Sequence, residues 1–430
     1  MNTPTFNEVF RQIRINLSVM GIQEDKSRTG VIFYIFYAML FTMVSSEVVF
    51  FTANMAPENF LELTGLAPCI CVGILSLLKI AALAWKKETV FSLAHKLERL
   101  STENLKDPIK TDIVSPDINL LKTLINYYFI LNAVLICVYN FSTPFYILYH
   151  YLTTNEEIFI LPYAVTVPFS TEAWPGWTFV YIFSVICGFI CVLFFTAVDA
   201  LYFTLTSYVC TIFAVLSNEI ICLNQPTGDI LNQIIKKHQN VLELAEDLED
   251  IFTLPNFFNV LVGSLEICAL GFNLMIGDWN NVPGCMLFIM SVLFQLFMMS
   301  VFGEKLIGSS IKVGESAFLC DWYKMNQKTQ KVLLVLITRT RKPTRLTAFK
   351  YSVICYEGFT KLVTLTARLT WAMTRECDAT RRHSEIAHVG HFHRYQRIEF
   401  TRAVPRRTAS RSRVIRSGKT LPNSLNMSKN

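Results

Sequence analysis

Glu47, Lys79, Asp199, Glu266, Glu357 and Lys361 lie inside apolar runs of this 430-residue chain. A charge in lipid is costly, so it pairs, sits at an interface, snorkels or lines a water-filled path. Glu357 and Lys361 stand four apart with the acid first, the favourable order for a helical ion pair. Thr360, Thr364 and Thr366 occupy the same run. That polar stripe fits a pore-lining surface shared between subunits.

A second group is aromatic. Tyr139, Phe141, Phe145, Tyr146 and Tyr149 close one apolar run, and Trp177, Phe179, Tyr181 and Phe183 open the next. Two readings stay open: an aromatic belt at the membrane interface, or a pocket for a small apolar molecule.

Enzyme chemistry is not written in the chain. It has no Walker loop, no HExxH, no GxSxG and no GxGxxG after a strand. His95, His150 and His238 are isolated in sequence and read as structural or surface residues. His383, His388, His391 and His393 form a loose cluster without Cys or a rigid frame, so no metal site is assigned. Most of the twelve Cys fall in apolar runs and read as small core residues, although a disulfide between outer segments stays open. No cofactor and no nucleic-acid partner is implied.

The elements that hold these residues are membrane spans. Hydrophobic residues make up 52% of the chain and charged residues 17%, against roughly 25% charged in a soluble domain. Seven runs reach the roughly 20 apolar residues a spanning helix needs: Val31–Phe51, Leu66–Trp85, Leu121–Tyr149, Trp177–Val209, Asn256–Ile276, Val282–Phe302 and Ala348–Trp371. The expected fold is an all-α membrane protein of seven transmembrane helices. Met1–Gly30 lacks a signal peptide, so the first run is expected to serve as both targeting signal and span.

Lys and Arg set the orientation. The N-terminal segment and the loops after spans two, four and six hold 21 of them, whereas the alternate loops near 52–65, 150–176 and 277–281 hold none. The N-terminus is therefore cytoplasmic and the seventh span runs outward, the reverse of a G-protein-coupled receptor. Neither D-R-Y after span three nor N-P-x-x-Y in span seven is present.

Amphipathic stripes mark the cytoplasmic side. Phe6, Val9, Phe10, Ile13 and Leu17 have helical spacing, for a helix lying on the inner membrane surface or packed on the protein's own cytoplasmic parts. Asp229–Phe252 carries Ile230, Ile234, Val241, Leu244, Leu248 and Ile251 on one stripe, and Asp321–Thr340 is a further helix-compatible run. Together they predict a cytoplasmic helical anchor bundle with subunit contacts.

Two stretches carry a family resemblance. Phe302–Leu362, FGEKLIGSSIKVGESAFLCDWYKMNQKTQKVLLVLITRTRKPTRLTAFKYSVICYEGFTKL, and Asn59–Leu100 resemble insect odorant receptors, the second particularly a moth member. The resemblance covers residues 1 to 366. It implies an odorant-gated, non-selective cation channel in the plasma membrane of olfactory neuron dendrites, in contact with membrane lipid. It further implies a heterotetramer with a shared co-receptor, joined through the cytoplasmic bundle. Span seven would line the pore, and a small volatile odorant would bind within spans two, three, four and six. On that basis the ligand-binding candidates are Tyr139, Phe141, Tyr146, Phe183, Cys187 and Phe288, and the pore-lining candidates are Glu357, Lys361, Thr364 and Ala372. Gustatory receptors share the topology, but their span-seven TY…QF signature is missing. A transporter, the other class considered, should show inverted repeats with broken helices, and none are evident.

The resemblance divides the chain into a seven-span receptor domain, 1–372, and a basic tail, 373–430. The tail holds 13 Lys and Arg against 4 Asp and Glu, which leaves the first 372 residues with a net charge of −3. Its composition predicts disorder. Arg368 and the stretch Ala372–Glu376 depart from the apolar ending of the family, and the tail is expected to be foreign to the family pattern.

Overall fold

A computed structural model describes the chain except for residues 1–2, 25–28, 56–59, 172, 224–227, 277–281 and 377–430. The expected tail lies almost wholly outside the described residues. Among the described residues the regular structure is helical apart from one small hairpin, and residues 155–171 form an irregular segment between two helices. Helix α1 is Phe6–Val19, α2 Val31–Ala53, α3 Phe60–Trp85, α4 Lys87–Asn104, α5 Pro108–Thr154, α6 Trp174–Ile221, α7 Gly228–Ile276, α8 Val282–Leu319 and α9 Gln327–Thr340. Residues 356–376 form α10.

Six helices, α2, α3, α5, α6, α7 and α8, are long and apolar enough to cross a bilayer, and α10 supplies the seventh crossing segment. Helices α5, α6 and α7 have 47, 48 and 49 residues. At 1.5 Å per residue each runs about 70 Å, more than twice the hydrocarbon thickness. Span and cytoplasmic helix are thus one rod. In particular, the amphipathic run 229–252 and the fifth span join without a break in α7, with Pro255 accommodated inside the helix.

Helix α6 is the axis of the bundle. It is apolar all round and nearly every residue from Phe194 to Thr211 is buried, as expected of a helix surrounded by others. Helix α1 packs on its cytoplasmic half rather than on the lipid surface: the Phe6 ring lies 4.7 Å from that of Tyr208, and Phe10, Ile13 and Leu17 are buried in the same core. Thr5 caps α1 by accepting from the Glu8 N–H. Glu219, near the inner end of α6, takes Lys110 at 2.8 Å and Lys237 at 2.6 Å. Burial opposes its ionisation, but the two ammonium groups prevail and hold its carboxyl below the usual range. Their contribution is therefore retained above the ordinary carboxylate pKa and lost as pH falls through the depressed value.

Two segments differ from the sequence expectation. The run from Asp321 begins with a 3₁₀ turn, Trp322–Lys324, and α9 starts only at Gln327, where the Asn326 side chain accepts from the Thr329 N–H at 2.8 Å. The seventh span does not begin at Ala348. Thr347–Ala348 (β1) pairs antiparallel with Ser352–Val353 (β2), through a turn whose Phe349 and Lys350 have φ of 52° and 60°. A left-handed backbone costs a side-chain-bearing residue roughly 1–2 kcal/mol. The hairpin is held against that cost by the Glu249 carboxylate, which accepts from the Thr347 N–H at 2.8 Å and from its hydroxyl, and by the Ile354 N–H donating to the Leu346 carbonyl at 2.9 Å.

Gly303 of α8 permits this seating, because a Cβ there would land on the Ile354 carbonyl oxygen. Gly303→Val should displace the hairpin and lower the thermal unfolding midpoint of the purified protein by the equivalent of about 2 kcal/mol. Gly308→Val, whose Cβ would meet nothing within 4 Å, should leave the midpoint within about 0.5 kcal/mol.

Candidate functional site: an apolar cavity above a buried ion pair

Asp199 sits halfway along α6, 2% exposed, and Lys79 of α3 reaches it from a fully buried position, Nζ to Oδ1 at 2.7 Å. The other carboxylate oxygen accepts from the Tyr128 hydroxyl of α5 at 2.7 Å and from Gln295 Nε2 of α8 at 2.8 Å. Gln295 Nε2 also donates to Asn259 Oδ1 of α7 at 3.1 Å. The carboxylate thus binds groups from three other helices and, through Gln295, reaches a fourth, so five helices meet in the cluster. The Lys79 ammonium lies 4.0 Å from the centre of the Phe195 ring, whose face is attractive to a cation. The charges the sequence left unexplained in spans two and four are therefore partners.

On the outer side of this cluster the helices part around a cavity of about 530 Å³, within the usual range for a small-molecule site. Its wall follows helical periodicity. Helix α5 contributes Asn132, Ile136 and Tyr139; α6 contributes Cys187, Gly188 and Cys191; α8 contributes Leu287, Phe288 and Gln295. Helix α3 adds Cys69, Val72 and Gly73. Helix α2 adds Leu40, Met43, Val44 and Glu47 at i, i+3, i+4 and i+7, a single face of span one.

The segment joining α5 to α6 roofs the cavity. Tyr163 projects from it into the lining, its ring 5.2 Å from that of Tyr139. Hydrogen bonds from α2, α5 and α6 pin the segment to the bundle. The Tyr139 hydroxyl donates to the Pro162 carbonyl at 3.0 Å, Trp177 Nε1 to the Ile160 carbonyl at 2.8 Å, and Ser46 Oγ to the Thr166 carbonyl at 2.7 Å. Gly188 makes room below, since a Cβ there would stand 2.5 Å from the Tyr163 hydroxyl.

Of the ligand candidates read from the sequence, Tyr139, Cys187 and Phe288 meet in this wall. Phe141 and Tyr146 are exposed on α5, and Phe183 is half-buried one turn before Cys187, outside the lining. The contribution of span one and of Tyr163 was missed. Glu47 was already singled out as a charge within a span, and its i−3, i−4 and i−7 neighbours were the legible signal. Tyr163 lies in an irregular segment that carries no periodicity to read.

The pore candidates share one exposed face of α10. Glu357, Lys361, Thr364 and Ala372 fall at helical spacing with Arg368, and the Glu357–Lys361 pair closes at 2.6 Å with both side chains 74% exposed. Thr366, grouped with them in the sequence, points the other way. It is buried with Thr370 and Thr374 against α7, where the Thr370 methyl would meet a Cβ at Gly271. Glu266 of α7 is buried, and its Oε1 has no hydrogen-bond partner among the described residues.

Fold and cavity together define a multi-pass helical membrane protein with an apolar chamber for a small molecule. Comparison with known proteins gives the family. The 7tm odorant receptor model matches residues 59–367, and the chain belongs to that family, one of receptors rather than enzymes. The match ends one residue before Arg368. The chain is 27% identical to putative odorant receptor 85d of Drosophila melanogaster over 71% of its length and 77% of that protein's. It is 23% identical to putative odorant receptor 92a of the same fly over 75% and 81%. The fold is similar to the insect olfactory receptor OR5 from Machilis hrabei solved in complex with eugenol, with a TM-score of 0.74 at 13% identity over 86% of this chain and 98% of that one.

Removing one member of a buried ion pair strands the other, whereas replacing both is close to neutral. Asp199→Leu should therefore lose about 3–5 kcal/mol of stability and most surface expression, and Lys79→Met/Asp199→Leu should recover the greater part, measured by thermal unfolding in detergent. An additive double variant would mean that the pair is not coupled.

Proposed function

We infer that this chain is the odorant-binding subunit of a ligand-gated, non-selective cation channel, working with a shared co-receptor in a heterotetramer. The reading rests on the roofed cavity among spans one, two, three, four and six. A chamber of this volume, walled by Leu, Val, Ile, Phe and Met with few polar groups, suits a small volatile molecule better than a sugar or an ion. Its location in the plasma membrane of a sensory dendrite follows from the same family reading.

The polar face of α10 supports a pore lining contributed jointly by subunits. Exposed Glu357, Lys361 and Thr364 are unfavourable toward lipid and natural beside water. Coupling from chamber to pore would run through α8. Its outer half forms the cavity wall, and it packs on α10 through Phe297, whose ring stands 5.7 Å from that of Phe359.

Cells expressing this chain with the co-receptor should give odour-evoked cation currents that disappear when this chain is omitted. Gly188→Leu, which drives a side chain into the chamber under Tyr163, should raise the half-maximal odorant concentration about tenfold or more while the protein still reaches the surface. Lys361→Glu should instead change ion selectivity with little effect on that concentration. Currents that never depend on this chain would contradict the reading.

A further inference from the structure

We propose that the chamber is built for a small, largely apolar molecule that carries a hydrogen-bond donor, an amine or a hydroxyl, and that Glu47 anchors it. This deepens the odorant-receptor reading and rests on it for the chamber being the ligand site.

The polar groups of the wall divide unevenly between donors and acceptors. Its strong donors are already used. The Tyr139 hydroxyl donates to the Pro162 carbonyl at 3.0 Å, Ser142 Oγ to the Tyr139 carbonyl at 2.9 Å, and Asn132 Nδ2 to the Tyr128 carbonyl at 2.9 Å. Gln295 spends its amide on Asp199 and Asn259. The Asp199 carboxylate also fixes which way that amide faces, because the reversed orientation would set two oxygens against each other.

The acceptors are left over. Among the described residues nothing donates to Gln295 Oε1, to Asn132 Oδ1 or to either oxygen of Glu47. The three residues are only 3%, 7% and 6% exposed and line the chamber, so what can donate to these oxygens is what the chamber holds. The hydroxyls of Tyr163 and Ser291 can give or accept and leave this balance unchanged. No Lys, Arg or His is among the lining residues, and the one ammonium nearby, that of Lys79, is held by Asp199. Glu47 is thus an acid in an apolar wall without a partner. Burying a carboxyl that way is costly, and leucine would fill the same place on α2 without the cost. A ligand donor relieves it: a hydroxyl by a hydrogen bond, an amine by an ion pair as well.

The test uses matched sets on three skeletons, hexyl, benzyl and 2-phenylethyl, each as the primary amine, the alcohol and the methyl ether. Binding to the purified complex with the co-receptor is read by thermal stabilisation, so no current is needed. For at least one skeleton the amine and alcohol should bind about tenfold or more tightly than the ether. Glu47→Gln keeps a carbonyl acceptor and removes the acid, so amine affinity should fall about tenfold while alcohol affinity changes about threefold or less. Glu47→Leu should lose both preferences. The proposal is overturned if ethers match their amines and alcohols throughout, if no donor-bearing member binds, or if Glu47→Gln leaves the amine unaffected. Should Glu47→Leu fail to fold, the wild-type series and Glu47→Gln still decide. A chain that binds amines but never conducts would contradict the channel reading alone and leave this one standing.

Discussion

Five helices of the membrane half meet at a carboxylate that cannot be left alone. Asp199 lies in the most buried stretch of the central helix, where an unpaired charge would be untenable. Its two oxygens must be satisfied from neighbouring helices, and the satisfaction fixes where those helices stand. Lys79 sets the azimuth of α3, Tyr128 that of α5 and Gln295 that of α8, with Asn259 of α7 drawn in through the Gln295 amide. An apolar seam between lipid-surrounded helices gives little directional preference. A buried polar cluster supplies it, and the registers of five helices follow.

The chamber is a consequence of the same geometry. Helices tied at mid-height by the cluster diverge above it, and the space is closed by a segment pinned from both sides. Gln295 belongs to both structures: its amide nitrogen is in the cluster and its residue is in the wall. Helix α8, tied to the ion pair through Gln295, also packs on α10 through Phe297 and Phe359, so under the proposed function a ligand in the chamber would have a short route to the last helix.

Much of the fold was legible in the sequence because lipid imposes length and charge rules that leave few alternatives. The seven runs stand out, and the Lys and Arg asymmetry orients them. Continuity was legible where no breaker intervenes, as in the fourth run, which continues to Cys222 and is one helix to Ile221. It was harder to read at the fifth span, where Pro255 stands between span and cytoplasmic stripe yet lies inside one helix. The hairpin before the seventh span was hidden too, because Phe349 and Lys350 are not turn-forming types, and a tertiary contact with Glu249 holds them there. Within the site, aromatic enrichment at the outer end of span three marked Tyr139 but gave no means of separating the inward from the outward aromatics, so Phe141 and Tyr146 were indistinguishable from it. The buried charges were the better guide. Asp199 and Lys79 proved to be partners, and Glu47 lies in the chamber wall.

The central claim is that ligand occupies the space bounded by Glu47, Tyr139, Gln295 and the Tyr163 roof. A density map of the assembled complex, determined with and without a molecule that activates it, tests this most directly. The account predicts added density touching Glu47 and Phe288 beneath Tyr163. A map in which the activator sits elsewhere, with this chamber unchanged and empty, would contradict it.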